Sequence, residues 1–102
     1  MIKITFTQNK GNIAGFVLSG HAGAADAGED VICAAVSSAA YLAANTITEI
    51  MGIPARSVAQ DGYFSFEINE GGSKESAAIL SGLKLHLSEL QKQYPEFISV
   101  NS

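Results

Sequence analysis

The sequence holds one cysteine, Cys33, and two histidines, of which His21 stands twelve positions before it. The stretch that contains both reads GHAGAADAGEDVICAAVSS. A thiolate is a strong nucleophile, and an imidazole can take its proton and later return it to a leaving group. The pair has the make-up of a thiol dyad. The competing reading is structural, because a cysteine on an apolar helix is commonly an inert, hydrophobe-like core residue.

Local signals put the two residues at opposite borders of one loop. His21 follows Gly20 at the end of a strand-like run, and strand ends are where a sheet can hold a functional side chain by its base. Asp30 is a good N-cap residue, which predicts Val31, Ile32 and Cys33 as the first three helical positions. A thiol there would feel the positive end of the helix dipole, and a nearby imidazolium would favour the thiolate further. The unpaired first-turn N–H groups would also hold the oxyanion of a tetrahedral intermediate. Ser37, four residues on, bonds either the thiol or substrate, or else its own helix at the carbonyl of Cys33. Gly23 and Gly28 predict a mobile loop over residues 22–29 that orders when substrate binds. Asp26 and Asp30 are both candidates to orient His21, although a cysteine nucleophile can work with histidine alone.

Other chemistries fit less well. Gly23 and Gly28 have the spacing of phosphate-loop glycines, but Glu29-Asp30 stands where a Lys-Ser/Thr pair is needed, and carboxylates repel phosphate. One Cys and one His beside Asp26, Glu29 and Asp30 lack a metal-ligand spacing, so no metal or other cofactor is expected. His86, at the edge of a leucine-rich helical face, reads as a solvated surface residue.

The elements that must position the pair are legible from periodicity. Ile2, Ile4 and Phe6 alternate with polar residues, and Ile13–Leu18 after the NKGN turn reads as the partner strand. From Asp30 to Met51 the period is helical, with Ile32, Val36, Ala39, Ala43, Ile47 and Ile50 forming one stripe and Gly52 and Pro54 supplying the stop. Arg56–Gln60 and Tyr63–Ile68 flank an Asp61-Gly62 turn pair. Ser73 caps a second helix running to about Tyr94, with Leu80, Leu83, Leu87 and Leu90 on one face. Pro95 ends it, and Phe97–Val100 reads as a last strand. The order ββαββαβ predicts an α+β domain, a mainly antiparallel sheet with two helices packed on one face.

With 102 residues, 47% hydrophobic and 16% charged, the chain has the size and composition of a single domain spanning residues 1–102. A formal charge of −4 and six scattered cations argue against nucleic acid as the primary ligand and favour a basic protein partner. No uninterrupted apolar run approaches the roughly 18 residues of a membrane span, so no membrane partner is expected. The alternating N-terminal strand does not resemble a signal peptide. The lone thiol suits a reducing cytoplasm.

The run S-G-H-A-G, a short loop, and then D-V-I-C-A-A-V-S resembles the ribosomal-processing cysteine proteases of the Prp family, as do chain length, element order and the DGYFSFEI strand. The resemblance implies a cytoplasmic endopeptidase, active as a homodimer, that removes the N-terminal extension of large-subunit ribosomal protein twenty-seven through a thioester. It implies Cys33 as nucleophile and His21 as general base and acid, with Gly20, Gly23, Asp30 and Ser37 at further motif positions. Ala24 and Ala27 depart from the larger residues common in the family's loops, which bears on loop order and pocket preference. The alternative is a noncatalytic module that binds a ribosomal protein during assembly.

Overall fold

The computed structural model describes residues 1–20, 27–70 and 72–101, with residues 27–30 as backbone alone. Strands β1 (Ile2–Asn9) and β2 (Asn12–Ser19) form a hairpin. Helix α1 (Ala27–Asn45) runs into a π-helical turn, Thr46–Ile50, and a second hairpin pairs β3 (Ala55–Gln60) with β4 (Tyr63–Ile68). Helix α2 (Lys74–Gln93) and β5 (Ile98–Asn101) follow. The sheet order is β3-β4-β2-β1-β5. Its pairs are antiparallel except β1 with β5, which is parallel. The expected α+β domain of order ββαββαβ is the one observed.

Strict alternation makes one face of the sheet apolar. Ile2, Ile4 and Phe6 of β1, Phe16 and Leu18 of β2, Phe64, Phe66 and Ile68 of β4, and Ile98 of β5 are all buried. Register puts Phe16 opposite both Phe6 and Phe66, and its ring lies 6.2, 5.4 and 5.6 Å from those of Phe6, Phe64 and Phe66. The helices cover this face with Ile32, Val36, Ala40, Ala43, Ala44 and Ile47 from α1 and its π turn, and Leu80, Leu83 and Leu87 from α2. Small alanines let α1 lie close to the strands, as close packing demands. On the other face Gly15 leaves room for Thr7 to donate to the Glu67 carboxylate at 2.7 Å across β2. A Cβ on Gly15 would lie 2.3 Å from that carboxylate and 2.2 Å from the Phe66 carbonyl oxygen.

The second helix begins and ends as the sequence predicts. Ser73 accepts from the Ser76 N–H, while the Ser76 hydroxyl accepts from the Ser73 N–H at 2.8 Å, a reciprocal capping box.

The first helix differs from expectation at both ends. It starts at Ala27, so Asp30 is its fourth residue, not its N-cap, and Gly28 is helical, not a loop hinge. Alanine is the best helix former, and an early start also sets Glu29 and Asp30 near the positive helix end. At the other end the Met51 N–H bonds the Thr46 carbonyl at 2.9 Å, a five-residue spacing that widens the turn. The helical period is broken there, and Ile50, expected on the core stripe, is 81% exposed. Taken as a whole, Val31–Ile50 has the length and apolar composition of a membrane span, with a mean hydropathy of 1.5. Interspersed serines and threonines break the apolar run, and in this fold the segment is a core helix with one buried face.

Candidate active site

The strand ends that face α1 form one row. Lys3 pairs with Ser19, Ser19 with Tyr63, and Tyr63 with Gln60, so the start of β1, the end of β2, the start of β4 and the end of β3 lie side by side. A cleft of about 210 Å³ opens between this row and α1. Cys33, Val36, Ser37 and Tyr41 line it from the helix; Ile2, Leu18, Gly20 and Phe64 line it from the strands; and Gln60, Asp61 and Gly62 form a wall from the β3–β4 turn.

Gly20 is the described residue closest in sequence to His21, and its geometry is demanding. Its φ is +97°, and a Cβ there would lie 2.3 Å from the Met1 carbonyl oxygen. Its N–H donates to the Gly62 carbonyl at 2.8 Å. The exit of β2 is thus wedged against the start of β1 and tied to the β3–β4 turn. Only glycine takes this backbone and this approach at no cost.

Cys33 is half-buried, on the helical face that meets the cleft. It is the seventh residue of α1, counting from Ala27, and so lies beyond the first turn where Asp30 capping would have put it. Its own N–H falls within the i→i−4 ladder, and the dipole effect fades within a turn. The unpaired N–H groups at the helix start therefore lie about a turn or more away, and do not form an oxyanion hole at the thiol itself. Two residues with polar side chains, Ser37 and Gln60, line the same cleft as the thiol.

Of the residues singled out from the sequence, the structure brings Gly20, Cys33 and Ser37 to one cleft. His21, Gly23, Ala24 and Asp26 lie outside the described residues, as does the side chain of Asp30. Thr46 and Thr48 bond back to the carbonyls of Leu42 and Ala44, and Ser37 is among the residues that line the cleft. His86 is exposed, as expected.

Tyr41 was not singled out. It stacks on Phe64, with centroids 4.4 Å apart and planes 16° from parallel, and forms an aromatic wall two turns from the thiol. The spacing Cys33–Ser37–Tyr41, at steps of four, is the signal that would have found it. Gln60 and Asp61 carried no such signal, because only the folding of the second hairpin against Gly20 brings them here.

A thiol-bearing and a hydroxyl-bearing residue on one helix, in a cleft with strand ends and an aromatic wall, have the make-up of a thiol-enzyme site. The comparisons with known proteins name the family. The family model for cysteine protease Prp matches residues 1–99. The ribosomal processing cysteine protease Prp of Bacillus subtilis (strain 168) is 28% identical over 110 residues, covering 100% of this chain and 97% of the relative. The essential ribosomal processing protease Prp of S. aureus, solved with a covalently linked product peptide, is 25% identical with a TM-score of 0.87, over 99% of this chain and 98% of that one. SMU.848 from Streptococcus mutans is 25% identical with a TM-score of 0.83, over 99% and 92%. The chain belongs to the Prp family and is a cysteine protease.

Proposed function

We propose that this protease removes the N-terminal extension of large-subunit ribosomal protein twenty-seven by a Cys33–His21 dyad. The observation that carries the reading is the cleft: Cys33 lies among the strand ends, at the point where Gly20 leads the chain into His21. The Cys33 thiolate attacks the scissile carbonyl to give a tetrahedral oxyanion. Ser37 and Gln60, which line the same cleft, are the residues placed to supply a donor for that oxyanion. His21, protonated by the thiol, passes its proton to the leaving amine as the C–N bond breaks, leaving a thioester. Water deprotonated by His21 then attacks the thioester, releasing the extension as a carboxylate and restoring the thiol.

The substrate assignment is supported by the family, whose relatives in Bacillus subtilis and S. aureus are named ribosomal processing proteases. A formal charge of −4 suits a basic ribosomal protein. The protein acts in the cytoplasm, where its thiol stays reduced, and as a homodimer. Support for self-association comes from an apolar groove of about 590 Å³ between α1 and α2, lined by Ala35, Ala39, Leu42, Ala43, Ile79 and Leu83 among others. Leu42 there is 71% exposed. Light scattering on the purified chain checks the dimer.

The decisive experiment incubates the protein with a synthetic peptide spanning the extension and the start of the mature ribosomal protein. Mass spectrometry should find one cut, and Cys33→Ala should abolish it while leaving the melting curve near wild type. Cleavage by Cys33→Ala at the wild-type rate would remove the thiol from the mechanism. An uncut ribosomal peptide, with other peptides cleaved, would remove the substrate.

A further inference from the structure

We propose that the free edge of β3 is the strand on which the substrate peptide docks, added to the sheet in extended form and led past Gln60 into the Cys33 cleft. This deepens the peptidase reading above and rests on it.

β3 is an outer strand of the sheet, and Arg56–Gln60 are exposed along its whole length. The pairing register shows which backbone groups are open. A two-residue turn makes Gln60 and Tyr63 a pair that exchanges hydrogen bonds. Antiparallel strands alternate bonded and non-bonded pairs, so Val58 with Ser65 and Arg56 with Glu67 are bonded as well. The same parity continues outward, where the Asn69 N–H donates to the Pro54 carbonyl at 3.2 Å. Ala55, Ser57 and Ala59 therefore turn their N–H and C=O groups away from β4, to the open side.

Exposed edges are usually blunted by lysine, proline, a bulge or a covering side chain. The opposite edge is treated in this way. Phe97 accepts from the Ile2 N–H at 2.8 Å, which turns Phe97 and Ser99 toward β1 and Val100 outward, and the outward Val100 N–H is taken by the Gln91 side chain at 2.5 Å. Residues 55–60 carry no lysine, no proline and no bulge. One edge is closed and the other is left able to pair.

Continuity with the cleft selects the occupant. β3 ends at Gln60, which lines the cleft together with Asp61 and Cys33. A peptide paired along Ala55–Ala59 thus leads over the turn into the cleft. Crossing the widths of β3 and β4 is about 10 Å, roughly three extended residues. Strand pairing should therefore begin about three residues from the scissile bond. Backbone pairing reads an extended segment with little regard to side chains, which leaves sequence choice to the cleft.

The test scans a cleaved peptide with single N-methyl groups and measures KM and kcat for the wild-type enzyme. N-methylation at alternate residues, starting about three from the scissile bond, should raise KM about tenfold, with intervening positions nearly silent. Ser57→Pro removes one outward N–H without touching the β3–β4 ladder, and should raise KM by a similar factor with kcat held. Should Ser57→Pro fail to fold, the N-methyl scan decides alone. A scan with no two-residue periodicity overturns the proposal, as does a folded Ser57→Pro with wild-type KM. A flat scan combined with a Ser57→Pro variant that dissociates a dimer would assign the edge to a second copy, again overturning it. Failure of the wild type to cut the ribosomal peptide strikes the substrate assignment instead; the scan then runs on any peptide that it does cut.

Discussion

Replacing Gly20 with alanine tests the junction that precedes His21, the proposed general base, in the chain. The backbone at Gly20 has φ +97°, and alanine in a left-handed conformation costs roughly 1–2 kcal/mol. Its Cβ would lie 2.3 Å from the Met1 carbonyl oxygen, a backbone atom held by the start of β1, where contacts below 3.0 Å essentially do not occur. Opening that contact adds roughly 1–3 kcal/mol, as for other overpacked sites. The total is about 2–5 kcal/mol, against about 5–15 kcal/mol for a whole domain. At about 4–8 °C per kcal/mol for a chain of this size, the melting midpoint should fall by at least about 8 °C. Activity should fall further than stability, because relieving the clash moves the peptide unit that leads into His21 and strains the Gly20 to Gly62 hydrogen bond. A displacement of about 1 Å at a reacting group costs on the order of 100-fold in rate. The assay is kcat/KM on the extension peptide at a temperature where calorimetry shows the variant folded. An alanine variant that melts within about 2 °C of wild type refutes the close approach. One that melts low but retains full kcat/KM refutes the link from Gly20 to catalysis.

Two further substitutions probe the frame around the site. Phe16→Ala removes the ring that touches Phe6, Phe64 and Phe66 and should cost about 3–5 kcal/mol by urea denaturation. A loss below about 1 kcal/mol would mean that the aromatic cluster is not the centre of the core. Ser76→Glu installs the residue that a capping box normally favours at this position, yet it should destabilise by about 1–3 kcal/mol. Ser76 is fully buried, and its hydroxyl packs so close to Gly72 that a Cβ there would lie 2.6 Å from it, which leaves no room for a longer chain. A stabilised variant in the same denaturation assay would show the space to be open.

Much of the frame was legible because the signals were local. The limits of β4, Tyr63–Ile68, coincide with alternation after Asp61-Gly62, and α2 runs between the Ser73 cap and the Pro95 stop. At α1 two local signals competed. Asp30 had the right side chain for a cap, but the alanines before it sustain a helix from Ala27. The identity of Ile50 was right for the core stripe, and the π turn rotated it out.

The sequence alone determined the element order, the apolar face of each strand and helix, and the thiol with its neighbouring histidine as the residues worth examining. These follow from side-chain type and spacing over a few residues, where propensity and periodicity act. The tertiary structure decided what surrounds the thiol. Tyr41 meets Phe64, and Gln60 and Asp61 reach the cleft, because β4 pairs with β2 and the Gly20 N–H finds the Gly62 carbonyl. It also decided which sheet edge stays open, since a strand's outward hydrogen-bonding groups depend on its register and on its place in the sheet. Contacts between residues so distant in the chain leave no periodic mark, and the core packing that selects them exists only once the whole sheet has formed.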